Sequence, residues 1–421
     1  MKPLDSPLEL ALLGLIQQKP MSGYDLRKVF ASTAMGSFSD SPGAIYPALG
    51  RLEKRELVCG TVQESSSLRK RRVFKITAAG LAEAARRMDA DAVVYGSNFE
   101  NHPEAVCDLA AGLRLLGNPA EVLRDVRDWA LLRRFCREAG IAHPVTLLRG
   151  EEGCAGRGRW LRKRLRSGGG YGIAPWDGRA LDDAHVLQAE VDGRAASVAF
   201  VADGKESRIF GLSEQLLGRS ALGGSGFAWC GNLLPLELPG ADAAAVRAQL
   251  YHMVSCLTRR FGLVGVNGLD VVIGRDPEGV AWPYLIEVNP RFSGSMELAE
   301  RAFGVNVFSL HVEGLAGRLP RAFVADRAPD GCVGKGIVYA RRPVVVPDTE
   351  EWLVRGVRDV PSPGQRIAAG HPVCTVLARG RDRQACLAGL FSGAAAVYRD
   401  SEETKEGRRE RTTHLDHRTH A

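Results

Sequence analysis

The feature that most constrains the fold is a pair of apolar segments within residues 267–300, joined by a short turn of sequence RDPEG. Each segment carries one carboxylate, Asp270 in the first and Glu287 in the second. Two apolar runs of strand length around a turn predict a buried β-hairpin. Because side chains alternate along a strand, Asn289 and Arg291 are expected on the same face as Glu287.

The polar side chains of this hairpin share a chemical character. Two carboxylates and an amide oxygen are hard ligands that suit Mg²⁺, which makes Asp270, Glu287 and Asn289 candidate metal ligands. Arg291 can neutralise the charge of a phosphoryl group in transfer, so it is a candidate catalytic residue. One acidic residue in a strand is usually structural. This spacing of four polar side chains on paired apolar strands is much harder to explain by structure alone.

A glycine-dense loop, SGGGYG at residues 167–172, follows a basic stretch that carries Lys163. Because glycine lacks a Cβ, the backbone N–H groups of such a loop can approach phosphates closely. No Gly-Lys-Ser/Thr closes the loop, which excludes a Walker A motif. A flexible surface loop has the same composition, so this loop alone does not decide between a phosphate cradle and a surface turn.

The first 88 residues show helical periodicity followed by two strands around a basic turn. Three helices are predicted within SPLELALLGLIQQ, MSGYDLRKVF and SPGAIYPALGRLEKREL, with Ser22 capping the second and Ser41 and Pro42 starting the third. The strands are LVCGTVQE and RVFKITAAG, joined by a turn that carries SSSLRKRR. Three helices and a hairpin predict a winged helix-turn-helix.

In order and spacing, LLGLI, PMSGYDL, GAIYPALGRLEKRELV and KRRVFKITAAG resemble the PadR family of transcriptional regulators. The resemblance implies a DNA recognition helix at residues 41–55 and a wing at residues 60–75. The implied DNA-binding residues are, on the helix, Ser41, Tyr46, Arg51 and Lys54, and, on the wing, Arg69, Lys70, Arg71 and Arg72. A core position is the alternative for Tyr46, a solvated turn is the alternative for the basic run, and Leu49 is expected in the core.

Two features of this segment depart from the PadR pattern. The family expects a glycine near Glu56, where this chain reads KRELV. PadR proteins dimerise through helices after the wing, and here only LAEAARRM remains before a different domain begins. Because a palindromic duplex site requires a two-fold arrangement, we expect a homodimer formed through another part of the chain.

From about residue 90 to about residue 395 the chain resembles the ATP-grasp superfamily. VVYGSNFEN, EVNPRFSGSMELAE and GHPVCTVLARG are similar to a group of predicted ATP-dependent carboligases, and the C-terminal end is similar to biotin-carboxylase-like members. The resemblance implies that Lys163 contacts ATP phosphate and also acts in catalysis, and that Mg²⁺ (or Mn²⁺) is the metal. The implied ATP-binding residues are Lys163, Ser167, Gly168, Gly169, Gly170, Gly172, Gln188, Glu190 and Val191.

The expected fold is multidomain α+β: a winged helix-turn-helix, then an ATP-grasp fold with a truncated Rossmann-like front and a β-rich C-terminal end. The boundaries are 1–88 for the PadR-like domain, 89–150 for the partial Rossmann-like segment, 151–320 for the ATP-grasp domain, 321–398 for the β-rich subdomain and 399–421 for a disordered tail. Only the last part of the Rossmann-like front is visible. Three explanations stay open at this point: a partner completes the sheet, the substrate pocket is altered, or the fusion is degenerate.

The resemblances imply an ATP- and Mg²⁺-dependent ligase that activates a carboxylate as an acyl phosphate for attack by an amine or a thiol, and that carries a domain for double-stranded DNA. The alternative is a PadR-like regulator whose ATP-grasp module only senses nucleotide or metabolite. A net charge of +7 suits polyanionic partners. No apolar run is long enough to span a bilayer and the start lacks a basic n-region, so we expect a cytoplasmic protein without membrane contact. The nine cysteines show no zinc-ligand spacing and are mostly expected in the core.

Overall fold

The computed structural model describes residues 6–18, 20–32, 42–64, 70–86, 90–238, 240, 242–276, 278–321 and 330–416. The chain divides into two compact units, Met1–Tyr95 with His102–Leu123, and Gly96–Asn101 with Arg124–Ala421. The helices are α1 Pro7–Gln18, α2 Gly23–Ser32, α3 Pro42–Lys54, α4 Ala78–Arg86, α5 Pro103–Ala110, α6 Ala120–Arg127, α7 Trp129–Glu138, α8 Asp242–Phe261, α9 Met296–Phe303, α10 Val307–Leu315, α11 Glu350–Val354 and α12 Arg383–Asp416. The strands are β1 Met21–Ser22, β2 Val58–Glu64, β3 Lys70–Ile76, β4 Ala92–Val93, β5 Arg114–Leu115, β6 Thr146–Leu147, β7 Trp160–Arg164, β8 Ala174–Pro175, β9 His185–Ala189, β10 Arg194–Asp203, β11 Ser207–Leu217, β12 Trp229–Leu234, β13 Val264–Arg275, β14 Ala281–Asn289, β15 Cys332–Tyr339, β16 Val344–Val345, β17 Arg366–Ile367 and β18 Pro372–Gly380.

The first unit begins with the winged helix-turn-helix that the periodicity predicts. Its three-stranded antiparallel sheet has the order β1-β3-β2. The helices α1, α2 and α3 close a core whose fully buried side chains include Leu12, Leu26, Phe30 and Leu49. Leu49 is therefore a core residue, as expected.

The helix starts of this unit follow local capping chemistry. Ser22 precedes α2, and its Oγ accepts a hydrogen bond from the backbone N–H of Asp25 at 3.3 Å. The carboxylate of Asp25 in turn accepts from the backbone N–H of Ser22 at 3.1 Å. This reciprocal pair is a capping box, which confirms Ser22 as the cap. The third helix starts at Pro42, whereas Ser41 lies outside the described residues.

The C-terminus of α3 ends in a Schellman motif. The N–H of Leu57 donates to the carbonyl of Leu52, and the N–H of Glu56 donates to the carbonyl of Glu53, both at 2.9 Å. Glu56 occupies the left-handed position of the motif with a φ of 59°. Glycine adopts this conformation without steric cost, whereas other L-residues are strained in it. The left-handed backbone conformation thus explains why the PadR pattern has a glycine at this turn.

Replacing Glu56 with glycine is expected to stabilise the first unit by about 1 kcal/mol, because it removes the left-handed strain and the side chain is exposed. Hydrogen exchange of the amides of α3 in the full chain measures the change. Lys54→Gly, at the last residue of α3, is the matched control and is expected to destabilise α3 by up to about 1 kcal/mol. Equal effects of the two glycines would contradict this explanation.

The segment after the winged helix alternates strands and helices, but its strands belong to two different sheets. Strands β4 and β5 form a parallel pair, with α5 as their connection. The last strand of the segment, β6, instead pairs with β9, Thr146 opposite Gln188. Strand β6 therefore finds its hydrogen-bond partner in a strand about 40 residues later and not in the β4–β5 pair.

The second unit is built around a seven-stranded antiparallel sheet with the order β14-β13-β10-β11-β12-β15-β18. The predicted hairpin is present as β13 and β14. Strand β14 lies at the edge of the sheet, which explains how it tolerates Pro283 despite the missing N–H. A second sheet of this unit has the order β6-β9-β7-β8.

The C-terminal end is rich in strands, as predicted, and β15 and β18 extend the seven-stranded sheet. A core around Trp352 fills the space between these strands and α12. The predicted disorder from residue 399 differs from the structure, in which α12 continues to Asp416. Two interactions anchor its path: Asp400 accepts from the indole N–H of Trp352 at 2.7 Å, and Glu402 pairs with Arg342 at 2.8 Å. The following residues lack proline and are mostly good helix formers.

All nine cysteines are free thiols. The buried ones are Cys136, Cys230, Cys332, Cys374 and Cys386. Within the ranges that the structure describes, no helix combines the length and the apolar character that a bilayer crossing requires.

Candidate functional site

A cavity of about 630 Å³ lies within the second unit. Residues from both of its larger sheets line the cavity, together with the loop that joins β7 to β8. The predicted site residues found in its lining are Lys163, Gly168, Gly169, Gly170, Gln188, Glu190, Val191, Asp270, Glu287, Asn289 and Arg291. Ser167 and Gly172 were predicted with them, but they flank the cavity in sequence without forming its wall.

The pairing of β13 with β14 brings the two carboxylates together. Asp270 lies directly opposite Glu287, and Gly268 lies opposite Asn289. The register shifts immediately after Asp270, where Val271 pairs with Leu285, so that one residue of β14 is unpaired at a bulge. Opposed residues of an antiparallel pair project to one face, as the alternation of the sequence predicts.

Asp270 is held by three hydrogen bonds. Its Oδ1 accepts from the hydroxyl of Ser197 at 3.1 Å and from the amide of Gln215 at 2.7 Å, and its Oδ2 accepts from the amide of Asn289 at 3.1 Å. Burial and the nearby charge of Glu287 nevertheless raise the pKa of Asp270 to about 6. The two carboxylates therefore repel each other across a site that a divalent cation would stabilise.

The donor set fits Mg²⁺ in its chemistry, with two facing carboxylate groups and a neighbouring amide. Within the part of the chain that the structure describes, no three His, Cys, Asp or Glu side chains form a metal cluster. A metal held by Asp270, Glu287 and Asn289 would therefore draw its other ligands from water or from phosphate oxygens, which is usual for Mg²⁺.

A chain of ion pairs connects Glu287 to Arg291. Arg127 contacts Glu287 at 2.7 Å and lies 3.3 Å from Glu100. Glu100 also contacts the guanidinium of Arg291, which in turn lies 3.3 Å from the amide oxygen of Asn289. Burial acts to raise the pKa of Glu100, but the hydrogen bond and charge of Arg291, with the charge of Arg127, hold that pKa below its ordinary value.

Lys163 lies on β7 and is almost fully buried. Its Nζ donates to the amide oxygen of Gln188 at 3.0 Å and lies 5.7 Å from the centre of the Trp129 ring. Burial lowers the pKa of Lys163, although the charges of Glu287 and Asp270 oppose this effect. Gln188 is itself oriented by a hydrogen bond from its amide to Thr146 at 3.1 Å. The ammonium is therefore positioned before any ligand binds.

The glycine loop approaches the backbone of a neighbouring loop very closely. A Cβ at Gly170 would lie 1.8 Å from the carbonyl oxygen of Phe227, and Gly170 has a φ of 78°. The carbonyl of Gly169 accepts from the N–H of Trp229 at 3.0 Å, and the carbonyl of Ser167 accepts from the amide of Asn101 at 3.3 Å. The Ser167 hydroxyl also donates to the carbonyl of Arg164 at 3.3 Å, and the N–H of Tyr171 donates to the carbonyl of Gly168 at 3.2 Å. The side chain of Tyr171 is exposed, so this loop is held by hydrogen bonds and not by a buried apolar side chain.

Binding of Mg·ATP is expected to slow hydrogen exchange across residues 166–173, because phosphate contacts would order a loop with so few apolar contacts. Hydrogen exchange measured by mass spectrometry with and without Mg·ATP tests this. The turn at residues 203–207, an exposed hairpin of the same unit, is the internal control and is expected to stay unchanged. Equal protection of the glycine loop in both states would exclude a role in holding phosphate.

The end of β9 leads into the remaining predicted nucleotide contacts. Glu190 and Val191 follow β9 directly and lie in the cavity wall. The carboxylate of Glu190 pairs with Arg159 at 2.8 Å. This places an acidic group and an apolar group on one short connection between the two sheets.

Several polar side chains of the site were not predicted. They are Glu100, Asn101, Arg127, Ser197, Gln215 and Asn232. The strand residues among them had a signal, because Ser197 and Asn232 interrupt otherwise buried apolar strands. Glu100, Asn101 and Arg127 lie in a short turn and at a helix end, where charged residues are ordinary.

Helix α3, the predicted recognition helix, has exposed side chains. Tyr46 is 48% exposed, which excludes a core position, and Lys54 is also exposed. Arg51 is exposed but donates to the buried carboxylate of Glu9 at 2.6 Å. Of the wing cations, Arg72 is exposed and pairs with Glu53 at 2.8 Å. Lys70 and Arg71 belong to β3, and Arg69 lies outside the described residues, as does Ser41.

Two family models match separate segments of the chain. Residues 127–295 match the ATP-grasp domain, and residues 12–86 match the transcriptional regulator PadR-like family. No curated protein matches the chain.

Solved structures show the same fold at low sequence identity. The biotin carboxylase domain of 2-oxoglutarate carboxylase from Hydrogenobacter thermophilus, solved with MgADP and bicarbonate, is 16% identical with a TM-score of 0.56, over 72% of this chain and 74% of that chain. Biotin carboxylase from Campylobacter jejuni is 14% identical with a TM-score of 0.56, over 74% and 76% of the two chains. L-Amino acid ligase from Bacillus licheniformis is 16% identical with a TM-score of 0.57, over 76% and 84%.

Proposed function

We propose that this chain, which joins a PadR-like domain to an ATP-grasp domain, is an ATP- and Mg²⁺-dependent ligase that activates a carboxylate for attack by an amine or a thiol. The main support is that one cavity is lined by the candidate residues for phosphate binding, for metal binding and for phosphoryl transfer. Lys163, the paired carboxylates and Arg291 come from separate parts of the sequence and meet there.

The proposed roles follow from charge and position. Lys163 and the glycine loop would hold the phosphates of ATP, while Gln188, Glu190 and Val191 would line the nucleoside pocket. Asp270, Glu287 and Asn289 would hold Mg²⁺, which, when bound, neutralises phosphate charge. Arg291 would stabilise the charge of the phosphoryl group in transfer.

The proposed chemistry has two steps. A carboxylate oxygen attacks the γ-phosphorus, the bond from phosphorus to the β–γ bridging oxygen breaks, and ADP leaves with that electron pair. The amine or thiol then attacks the acyl carbon, the bond from carbon to the phosphate oxygen breaks, and phosphate leaves while the nucleophile loses a proton. Positioning and electrostatics carry both steps, and no nucleophile of the protein takes part.

The experiment that tests this proposal is ADP release by the purified chain against a panel of carboxylates combined with amines and thiols. Steady ADP release that requires both a carboxylate and a nucleophile supports the ligase. If the chain binds Mg·ATP but releases no ADP with every combination of carboxylate and nucleophile tested, the ligase proposal is contradicted. That second outcome selects the alternative, a PadR-like regulator whose ATP-grasp domain senses nucleotide.

We also propose that the PadR-like domain binds double-stranded DNA, supported by the exposed side chains of Tyr46 and Lys54 and by the basic wing. A two-fold duplex site would further require a homodimer, which the mass of the full chain in solution tests.

Replacing the wing cations by alanine is expected to weaken duplex binding to a similar extent for all sequences, because phosphate contacts carry no base information. The four residues are Arg69, Lys70, Arg71 and Arg72. A plot of the logarithm of the binding constant against the logarithm of the salt concentration has a negative slope. For every phosphate that the variant no longer neutralises, this slope is expected to become less steep by about 0.9. Fluorescence anisotropy of a labelled duplex with the full chain over a series of salt concentrations measures this slope. Arg318→Ala, in the second unit, is the control and is expected to leave the slope unchanged. Unchanged slopes in the wing variant would exclude binding of the wing to DNA.

A further inference from the structure

Two of the five buried cysteines lie next to each other in the core of the second unit. Cys332 is the first residue of β15, and Cys386 lies in the first turn of α12. Cys332 is 3% exposed and Cys386 is 0% exposed, and both belong to the core around Trp352. Neither residue lines the cavity around Asp270, so the proposed ligase chemistry leaves both thiols unused.

Two glycines make room for Cys386 beside Cys332. Gly334 is two residues after Cys332 on β15, so these two positions share a face of the strand. A Cβ at Gly334 would lie 2.8 Å from the Sγ of Cys386. Gly380 of β18 lies directly opposite Cys332, and a Cβ there would lie 2.9 Å from the Cα of Cys386. The start of α12 therefore packs directly onto the two positions that flank Cys332.

The two thiols interact with each other. They share a hydrogen bond, which raises the pKa of Cys332 and lowers the pKa of Cys386. Burial adds to the first effect and opposes the second. The partial positive charge at the N-terminus of α12 also favours a thiolate at Cys386. Cys386 is therefore the thiol of the pair that ionises first, with Cys332 as the donor beside it.

The pair lies just beneath the surface, at the place where α12 begins. Arg381, Asp382 and Ala385 around the helix start are exposed. The backbone N–H of Ala385 donates to the carboxylate of Asp382 at 2.7 Å, which caps the helix. Opening of one helix end costs much less free energy than global unfolding, so a small molecule can reach Cys386 without unfolding of the sheet.

We propose that Cys332 and Cys386 are a redox-active pair that a small hydroperoxide converts into a disulfide, which fastens α12 to β15. The Cys386 thiolate attacks one oxygen of the hydroperoxide, the O–O bond breaks, and hydroxide or alkoxide leaves. The sulfur of Cys332 then attacks the Cys386 sulfenic acid, the S–O bond breaks, and water leaves with the proton of the Cys332 thiol. The two thiols together lose two electrons, which the peroxide bond takes up.

Peptide mapping of the full chain tests the pair directly. The reduced chain is treated with hydrogen peroxide, its remaining thiols are alkylated in denaturant, and the digest is analysed by mass spectrometry. We expect a linked peptide pair that contains Cys332 and Cys386 in most molecules and that dithiothreitol separates. Cys374, a thiol of the same core whose pKa burial raises to about 12, is the internal control and is expected to stay a thiol. If Cys332 and Cys386 remain thiols, or are oxidised without a link, the redox pair is wrong.

Two serine variants identify the attacking thiol. Cys332→Ser keeps a hydrogen-bond donor but removes the second sulfur, so peroxide is expected to oxidise Cys386 as far as the sulfinic acid. Cys386→Ser is the matched change and is expected to leave Cys332 a thiol under the same treatment. Equal rates of oxidation of the remaining cysteine in the two variants would overturn the assignment of Cys386 as the attacking thiol.

The disulfide would close a loop of about 50 residues, which restricts the unfolded chain. Peroxide treatment is therefore expected to raise the urea midpoint of the second unit by at least about 0.5 M, and dithiothreitol is expected to reverse the rise. Tryptophan fluorescence measures this midpoint. Cys332→Ser, treated in the same way, is the control and is expected to show no rise. An unchanged midpoint in a wild-type chain that carries the link would show that the disulfide does not fasten α12.

Discussion

Replacing Arg291 with methionine is expected to destabilise the second unit by about 3 kcal/mol, because removing one partner of a buried ion pair leaves the other charge poorly compensated. The Arg291 side chain is 9% exposed and contacts Glu100, whose side chain is 1% exposed. Arg127 lies 3.3 Å from Glu100 and offsets only part of the destabilisation, since it also pairs with Glu287. Urea denaturation of the full chain measures the change, and intrinsic tryptophan fluorescence reports the second unit because all six tryptophans belong to it.

The matched control is the double variant Glu100→Gln with Arg291→Met, which removes both charges and is expected to recover most of the free energy of unfolding that the single variant loses.

The dependence of stability on pH gives a second test of the Glu100–Arg291 pair. The pKa of Glu100 is lower in the folded state than in the unfolded state. The ionised carboxylate therefore contributes to the free energy of unfolding at pH values above the unfolded-state pKa, and this contribution is lost as the pH falls through the folded-state pKa. Glu100→Gln is expected to flatten this acid limb. A destabilisation below about 0.5 kcal/mol in Arg291→Met would show that the pair does not stabilise the fold.

The sequence predicts which strand residues come together in the candidate site, because side chains alternate along a strand and so share a face at regular spacing. Asp270 and Glu287 sit on apolar runs joined by a short turn, so antiparallel pairing and a shared face follow almost by geometry. Lys163 and the glycine loop are predicted as nucleotide contacts through the resemblance to the ATP-grasp superfamily, since a flexible surface loop has the same composition. The same local rules predict Ser22 as a cap and Leu49 as a core residue.

The sequence does not predict which distant elements complete that site. Glu100 lies in a three-residue 3₁₀ turn and Arg127 at the end of α6, and neither position has a periodicity that would mark it as buried. The pairing of β6 with β9 is equally hidden, because a strand of two residues carries too little pattern to select its partner. The continuation of α12 is missed because its anchors, Trp352 and Arg342, belong to a different part of the fold.

The second large effect is expected at the metal candidates. Changing Glu287 to glutamine is expected to weaken Mg·ATP binding at least about tenfold, or about 1.4 kcal/mol. The amide keeps an oxygen that can accept from Arg127, whose Nη1 lies 2.7 Å from the carboxylate, so the structural hydrogen bond is retained while the charge is removed. Because Mg²⁺ binds carboxylates through their charge, removing it should weaken the metal-dependent part of binding.

Calorimetric titration with and without Mg²⁺ separates that part from the rest. The affinity for ATP without Mg²⁺ is expected to hold or to rise in Glu287→Gln, since one negative charge near the phosphates is gone. Glu313→Gln makes the same chemical change at an exposed pair with Arg318 and is expected to alter neither affinity. Equal Mg·ATP affinity of wild type and Glu287→Gln would remove Glu287 from the metal site. The facing carboxylates would then have to be explained by the ion pair of Glu287 with Arg127 and the three hydrogen bonds of Asp270 alone.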